Sequence, residues 1–165
     1  MIHRDLKPAN ILIGGFGEVL VLDWGLAKVW GEVDLEHNAI PENSDPALTP
    51  VGRSYGTPLY MAPELARGDS HIDGRVDVFS LGNILFEILT LTQLLHGDTA
   101  QEVADNLLNN DLPSPRDVSS SRYVPSALEG ICLRALKKDS RDRYPSVQAM
   151  LDDLKSYQLS GTALG

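Results

Sequence analysis

Cysteine is nearly absent from this chain: Cys132, in the apolar run ICLRAL, stands alone. A single thiol closes no internal disulfide, so Cys132 reads as a small core residue, and the usage fits a reducing cytoplasm. Basic residues are also in short supply. Lys and Arg number 14 against 23 acidic residues, a net charge of -9 at pH 7. That balance excludes general nucleic-acid affinity, which is mostly phosphate neutralisation, and it disfavours an anionic membrane surface. No apolar run reaches the roughly 18–20 residues that span a bilayer. The opening residues lack the basic-then-apolar pattern of a signal segment. There is no internal repeat. The four histidines, His3, His37, His71 and His96, show no paired spacing with Cys or acids, which argues against a metal site built on them.

What is present suffices for one domain. The 165 residues are 42% hydrophobic, enough for a single core. Two short apolar runs, 11–13 (ILI) and 19–22 (VLVL), flank GGFGE and predict a β-hairpin with a glycine-rich turn. Residues 30–54 are acidic, hold three prolines and show no period, which reads as a long mobile loop. Helices follow. YMAPELARG is a short one closed by Gly68. The stretch 76–91, VDVFSLGNILFEILTL, is apolar nearly all round, as a helix in the middle of a core is. Thr99 with Glu102, and Ser126 with Glu129, are capping boxes for the next two helices. DLPSPRDVSSSRYVP between them reads as loop. Ser146 caps VQAMLDDLKSYQL, and 160–165 reads as a frayed tail. The expectation is a mostly helical domain with one small hairpin.

The chemistry concentrates near the start. HRDLKPAN sets Asp5, Lys7 and Asn10 in one stretch that Pro8 keeps from being a simple helix, so a rigid loop is predicted. Asp23, in LDWG, ends the second strand, and a returning hairpin would bring it beside Asn10. A carboxylate and an amide oxygen are hard ligands suited to Mg²⁺ shared with phosphates. Asp5 could orient a hydroxyl and take its proton. The Lys7 ammonium could offset charge on a transferring phosphoryl group.

HRDLKPAN, DWGLAK, GTPLYMAPEL, DVFSLG and a late Arg in RDRYP resemble, in order and spacing, the eukaryotic-like (Hanks-type) protein kinases. The Lys7-Pro8 pair and GTPLYMAPE resemble the serine/threonine branch, and DWGLAK its bacterial members. The likeness runs from His3 to about Leu159. It implies a partial kinase domain over residues 1–159, with an activation segment at 23–64 and a kinase-like C-terminal lobe (α+β). It also implies ATP and Mg²⁺ as cofactors and a protein or peptide substrate. By that resemblance Asp5 would be the catalytic base and Lys7 would touch the γ-phosphate. Asn10 and Asp23 would hold the metal. Arg4 would receive a phosphorylated activation-segment residue, for which Thr49 is the first candidate, with Ser44 and Ser54 behind it. Thr57 would link the peptide-binding loop to Asp5 and Lys7, and Met61 to Pro63 would shape the peptide pocket. Glu64 would pair with Arg143 in a buried ion pair. Asp77 would accept backbone N–H bonds from the catalytic loop and hold its strained shape. His3 would pack under Trp24, which with Gly25 stands in the D-F-G position.

There are departures. Trp24 replaces the family's usual Phe, which would alter switching, and Phe79 replaces a common Trp. GGFGEV resembles the end of a nucleotide-covering loop, but that loop precedes the catalytic loop in the family, so the turn reading wins. The five lysines, Lys7, Lys28, Lys137, Lys138 and Lys155, all sit in or after the catalytic loop, so none matches the lysine of the nucleotide-binding lobe. The expectation is therefore a C-terminal lobe whose N-terminal lobe is missing, inactive alone for want of an adenine pocket and phosphate lid. Relatives often read V-I-H-R-D where this chain has Met1, which suggests an internal valine codon read as a start. Two functions follow: a serine/threonine kinase completed by the missing lobe, or a kinase-remnant module that binds partners indifferently to nucleotide.

Overall fold

The structure, a computed structural model, describes residues 1–26, 58–119 and 122–162. Most of the predicted activation segment lies outside them, including Thr57, Thr49, Ser44, Ser54, Lys28, Trp30 and His37.

The hairpin forms where the two apolar runs predict it. Strand β1 (Ile11–Ile13) pairs antiparallel with β2 (Val19–Val21), in register Ile11 to Val21, Leu12 to Leu20 and Ile13 to Val19. Glu18 closes the turn by giving its carbonyl to the Gly14 N–H at 2.8 Å. The ribbon leaves apolar side chains in solvent on both faces. Leu12, Ile13, Val19 and Leu20 are all more than half exposed, and Phe16 at the tip is fully so.

Helices make up the remainder. Helix α1 (Pro63–Arg67) starts with proline at its first position and stops at Gly68, whose φ of 72° is the left-handed conformation glycine adopts without penalty. Helix α2 (Arg75–Thr90) is the central element, touching α4 (Pro115–Val118), α5 (Ser126–Ala135) and α6 (Val147–Thr162). One of its sides joins Ile2, Ala62, Leu94, Leu95 and Leu107 in the larger core cluster. Val78 faces the other way, into a smaller cluster with Ile131, Ala135, Tyr144 and Met150. Gly82 is what lets α2 and α5 approach, since a Cβ there would sit 2.7 Å from the Ala135 Cβ.

Helix α3 (Ala100–Asn109) is capped by Thr99, whose hydroxyl accepts the Glu102 N–H at 3.2 Å, while the Glu102 carboxylate takes the Asp98 N–H. Ser146 likewise accepts the Ala149 N–H. Three expectations are corrected. Ser126 is inside α5 with Pro125 at its cap, so that capping box does not form; Glu129 turns instead to the Ser114 hydroxyl at 2.5 Å and Arg116 at 3.1 Å. The stretch read wholly as loop before α5 contains α4, started by Ser114 and Pro115. The tail is helical as far as Thr162, because no proline or cap stops α6 at Leu159.

Candidate active site

The loop before β1 is built around Asp77, in the first turn of α2. Its Oδ2 accepts the His3 N–H at 2.8 Å and its Oδ1 accepts the Arg4 N–H at 2.9 Å. Two successive amides can aim at one carboxylate only if the chain turns sharply between them. Arg4 accordingly has φ of 68°, a conformation that costs a non-glycine residue about 1–3 kcal/mol. Asp77 is buried, so both bonds act away from competing water.

That turn presents Asp5, Lys7 and Asn10 as one cluster. Asp5 Oδ2 accepts Lys7 Nζ at 2.7 Å and Asn10 Nδ2 at 3.1 Å. Asn10 Nδ2 also donates to the Asp5 carbonyl at 2.8 Å. Asp5 and Lys7 are partly exposed, while Asn10 is buried. Two side-chain oxygens of the cluster are left over by these bonds. Asp5 Oδ1 takes no hydrogen bond from a described residue, and Asn10, with its nitrogen spent on Asp5, keeps its own Oδ1 for another partner.

The hairpin register delivers Asp23. The Leu22 N–H donates to the Asn10 carbonyl at 2.8 Å, one step beyond the Ile11–Val21 pair, so the residue after Leu22 emerges beside Asn10. Asp23 also has positive φ, 57°, and its Oδ1 accepts the Gly25 N–H at 3.4 Å as the chain enters a 3-10 turn, Trp24–Leu26. Two side chains brace this bend. Trp24 donates its indole N–H to the Val21 carbonyl at 3.0 Å. His3 Nε2 meets the Leu22 carbonyl at 3.0 Å while its Nδ1 faces the Asp5 N–H at 3.3 Å, a pair of bonds that selects the tautomer with the proton on Nε2. The two rings touch, their centroids 4.7 Å apart and tilted by 60°. Trp24 is half exposed, so the contact covers only one side of it.

A second assembly joins the start of α1 to the loop before α6. Arg143 reaches Glu64 with both terminal nitrogens at 2.7 Å, and the Arg143 side chain is wholly buried. Its guanidinium carbon lies 5.0 Å over the Phe79 ring. Segment 58–62, which leads into α1, is tied to α2 by Ser80, Asn83 and Glu87. Sequence reasoning missed those three, because α2 reads there as apolar. Tyr60 donates its hydroxyl to Glu87 at 2.5 Å, and burial, aided by that carboxylate, pushes the phenol well above its ordinary range.

The donor set suits a hard cation. Asn10 and Asp23 offer oxygens only, and among the described residues no three His, Cys, Asp or Glu group to hold a metal alone. Oxygen ligands of this kind are what magnesium shared with phosphates and water takes. Two cavities, of about 460 and 470 Å³, lie elsewhere. One is lined by Glu64, Arg67, His71 and Lys138, the other by α5 and α6, and neither by Asp5, Lys7, Asn10 or Asp23. Among the described residues no helix is long and apolar enough to cross a membrane.

Comparison with known proteins identifies the family. The profile of the protein kinase domain matches residues 1–154. The serine/threonine-protein kinase PknD of Protochlamydia amoebophila is 37% identical over 161 residues, covering 95% of this chain and 16% of that protein. A probable serine/threonine-protein kinase PknB of Lactococcus lactis is 35% identical over 154 residues, 93% of this chain and 22% of the relative. The tyrosine-protein kinase MasK of Myxococcus xanthus is 34% identical over 165 residues, 98% and 23% respectively. The chain thus spans less than a quarter of each of these relatives.

Proposed function

This chain belongs to the protein kinase family, of the Hanks type found in bacteria, and we propose that it carries the catalytic-loop side of a site transferring phosphate from ATP to protein Ser or Thr hydroxyls. The observation that carries the reading is the cluster itself. Asp5, Lys7 and Asn10 are bonded to one another, and Asp23 directly follows Leu22, whose N–H donates to the Asn10 carbonyl.

Bound Mg²⁺-ATP would supply the transferable phosphoryl group. The chain's residues would do the positioning on which such transfer depends. Asn10 Oδ1 and the Asp23 carboxylate would hold the metal. Asp5, anchored through Oδ2, would present Oδ1 to the acceptor hydroxyl and take its proton as the oxygen–phosphorus bond forms and the bond to the ADP leaving group breaks. Lys7 would offset negative charge on the moving phosphoryl group. Arg4 would receive a phosphorylated activation-segment residue, with Thr49 first in line. Glu64 and Arg143 would tether that segment's end to the helices.

By the family resemblance, adenine binding and phosphate covering need a nucleotide-binding lobe whose lysine and glycine-rich loop have no match in this sequence. The chain alone is therefore proposed to be inactive, its nucleotide lobe supplied by other residues of the native protein or by another chain, in the cytoplasm. The exposed apolar hairpin favours one second reading, a kinase-derived module that binds a partner without nucleotide.

The test is phosphate transfer from labelled ATP to a Ser/Thr peptide mixture, by the native protein and by its Asp5→Asn form. The kinase reading expects transfer that falls by at least about a hundredfold in Asp5→Asn. Transfer that is indifferent to Asp5 refutes it, and partner capture unaffected by ATP-Mg²⁺ would support the module.

A further inference from the structure

Helix α2 was expected to be apolar nearly all round, yet its buried side carries a line of polar grips. Asp77 holds the His3 and Arg4 amides. Ser80 donates to the Tyr60 carbonyl at 2.8 Å, Asn83 Nδ2 to the Leu59 carbonyl at 2.7 Å, and Glu87 accepts the Tyr60 hydroxyl. Positions 77, 80, 83 and 87 recur at three- and four-residue spacing, so they share one face of the helix. One rigid element thus grips the catalytic loop at its first turn and segment 58–62 farther along.

Asn83 is the unusual member. It is 1% exposed, and among the described residues its buried Oδ1 has no partner. An orphaned amide oxygen in a core is a standing cost that an apolar side chain of the same size would avoid. What an apolar side chain could not do is hold the Leu59 carbonyl. Beyond the Ser80 and Glu87 grips on Tyr60, segment 58–62 has little hydrogen bonding of its own. Its internal backbone bond, from the Met61 N–H to the Pro58 carbonyl, is long at 3.3 Å, and no regular element begins before Pro63.

We infer that Asn83 is a positioning residue for substrate. By fixing the Leu59 carbonyl it sets the approach to Met61–Pro63, which on the kinase reading would shape the peptide pocket, at a constant offset from Asp5. The helix supplies the ruler: Asp77 and Asn83 are about 9 Å apart along the axis at 1.5 Å per residue. The inference rests on the kinase reading for the identity of the peptide site. It does not rest on it for the clamp.

The experiment uses the native protein and its Asn83→Leu form, with Asn83→Ser as second variant should leucine prevent folding. Amide exchange is read over 58–62 and over α5, and KM and kcat for a peptide acceptor are measured separately. The clamp predicts at least tenfold faster exchange at 59–61 with α5 unchanged, together with a peptide KM raised at least fivefold and kcat within twofold. A purely structural role would speed α5 and segment 58–62 together and move KM and kcat alike, and that result overturns the inference. Unchanged exchange at 59–61, or an unchanged KM, overturns it too. If the unsubstituted native protein transfers no phosphate at all, the kinase reading falls, and the substrate role of Asn83 falls with it, whatever the exchange shows of the clamp.

Discussion

Glu64 and Arg143 stand 79 residues apart in the chain and meet fork to fork inside the fold. The pair is unusually complete. Beyond the two bonds to Glu64, Arg143 gives its remaining N–H groups to the carbonyls of Lys137, Lys138 and Arg75, so all five guanidinium donors are used. Burying such a charge is costly, and only full satisfaction offsets the cost.

Removing one partner should therefore be severe. Glu64→Ala or Arg143→Leu leaves an uncompensated buried charge, with an expected loss of about 3–5 kcal/mol. Arg143→Lys should also destabilise, since one ammonium cannot reach five acceptors. Urea unfolding of each variant checks this, and a loss below about 1 kcal/mol in all three would show that the pair contributes little.

Asp77→Asn tests the strained loop. An amide offers one oxygen where two N–H groups need acceptors, and its NH₂ would face an amide hydrogen. A charge-assisted bond lost in this way should cost about 1.5–3 kcal/mol. Exchange at the His3 and Arg4 amides should speed up more than exchange in α5. Equal protection at both sites would mean that the turn holds without Asp77.

Gly82→Ala should loosen the seam between α2 and α5. The added Cβ meets the Ala135 Cβ at 2.7 Å and the Ala135 backbone carbon at 3.3 Å, so one helix must shift. Overpacking of this kind costs roughly 1–3 kcal/mol. The thermal midpoint reads it, and pairing the change with Ala135→Gly should recover part of the loss.

Alkali should destabilise the fold through two buried acids. Burial, and then the Glu129 charge, pushes the Cys132 thiol from 9.0 up to about 12. Burial, and then the Asp153 hydrogen bond, pushes Tyr144 from 10.0 up to about 12. Both folded values lie above the unfolded ones, so the unfolded chain releases protons that the fold must keep. This contribution is whole below pH 9.0 and is lost as pH rises toward about 12. Cys132→Ala with Tyr144→Phe should flatten the decline. A midpoint that holds steady through that window would contradict it. The same neutral, enclosed thiol should resist alkylating reagents until the protein unfolds.

Much of this was legible in the sequence, and the reason differs by element. The hairpin, α2, the Thr99 and Ser146 caps and the Gly68 stop are local events, set by period or by one side chain near its own backbone. The Ser126–Glu129 pair had the right spacing and failed, because Glu129 found stronger partners in Ser114 and Arg116, and Pro125 took the cap. The grips of Ser80, Asn83 and Glu87 were hidden for a related reason. Their partners lie 20, 24 and 27 residues away, and nothing in an apolar helical run announces which polar side chain will meet a distant carbonyl or hydroxyl. The indole bond from Trp24 to Val21 was also invisible, since a D-W-G reading treats Trp as a larger Phe.

The bare ribbon near the start of the chain has a colloidal consequence. At pH 7 each molecule carries a charge of -9, which keeps copies apart over roughly a Debye length. Within that distance two wet, greasy strands, whose outer edges pair with no other described strand, are adhesive. Added salt shortens the repulsion and leaves the adhesion untouched. A solution of this chain should therefore turn cloudy as sodium chloride is raised and clear again on dilution into low salt, the reverse of what a charge-paired aggregate would do.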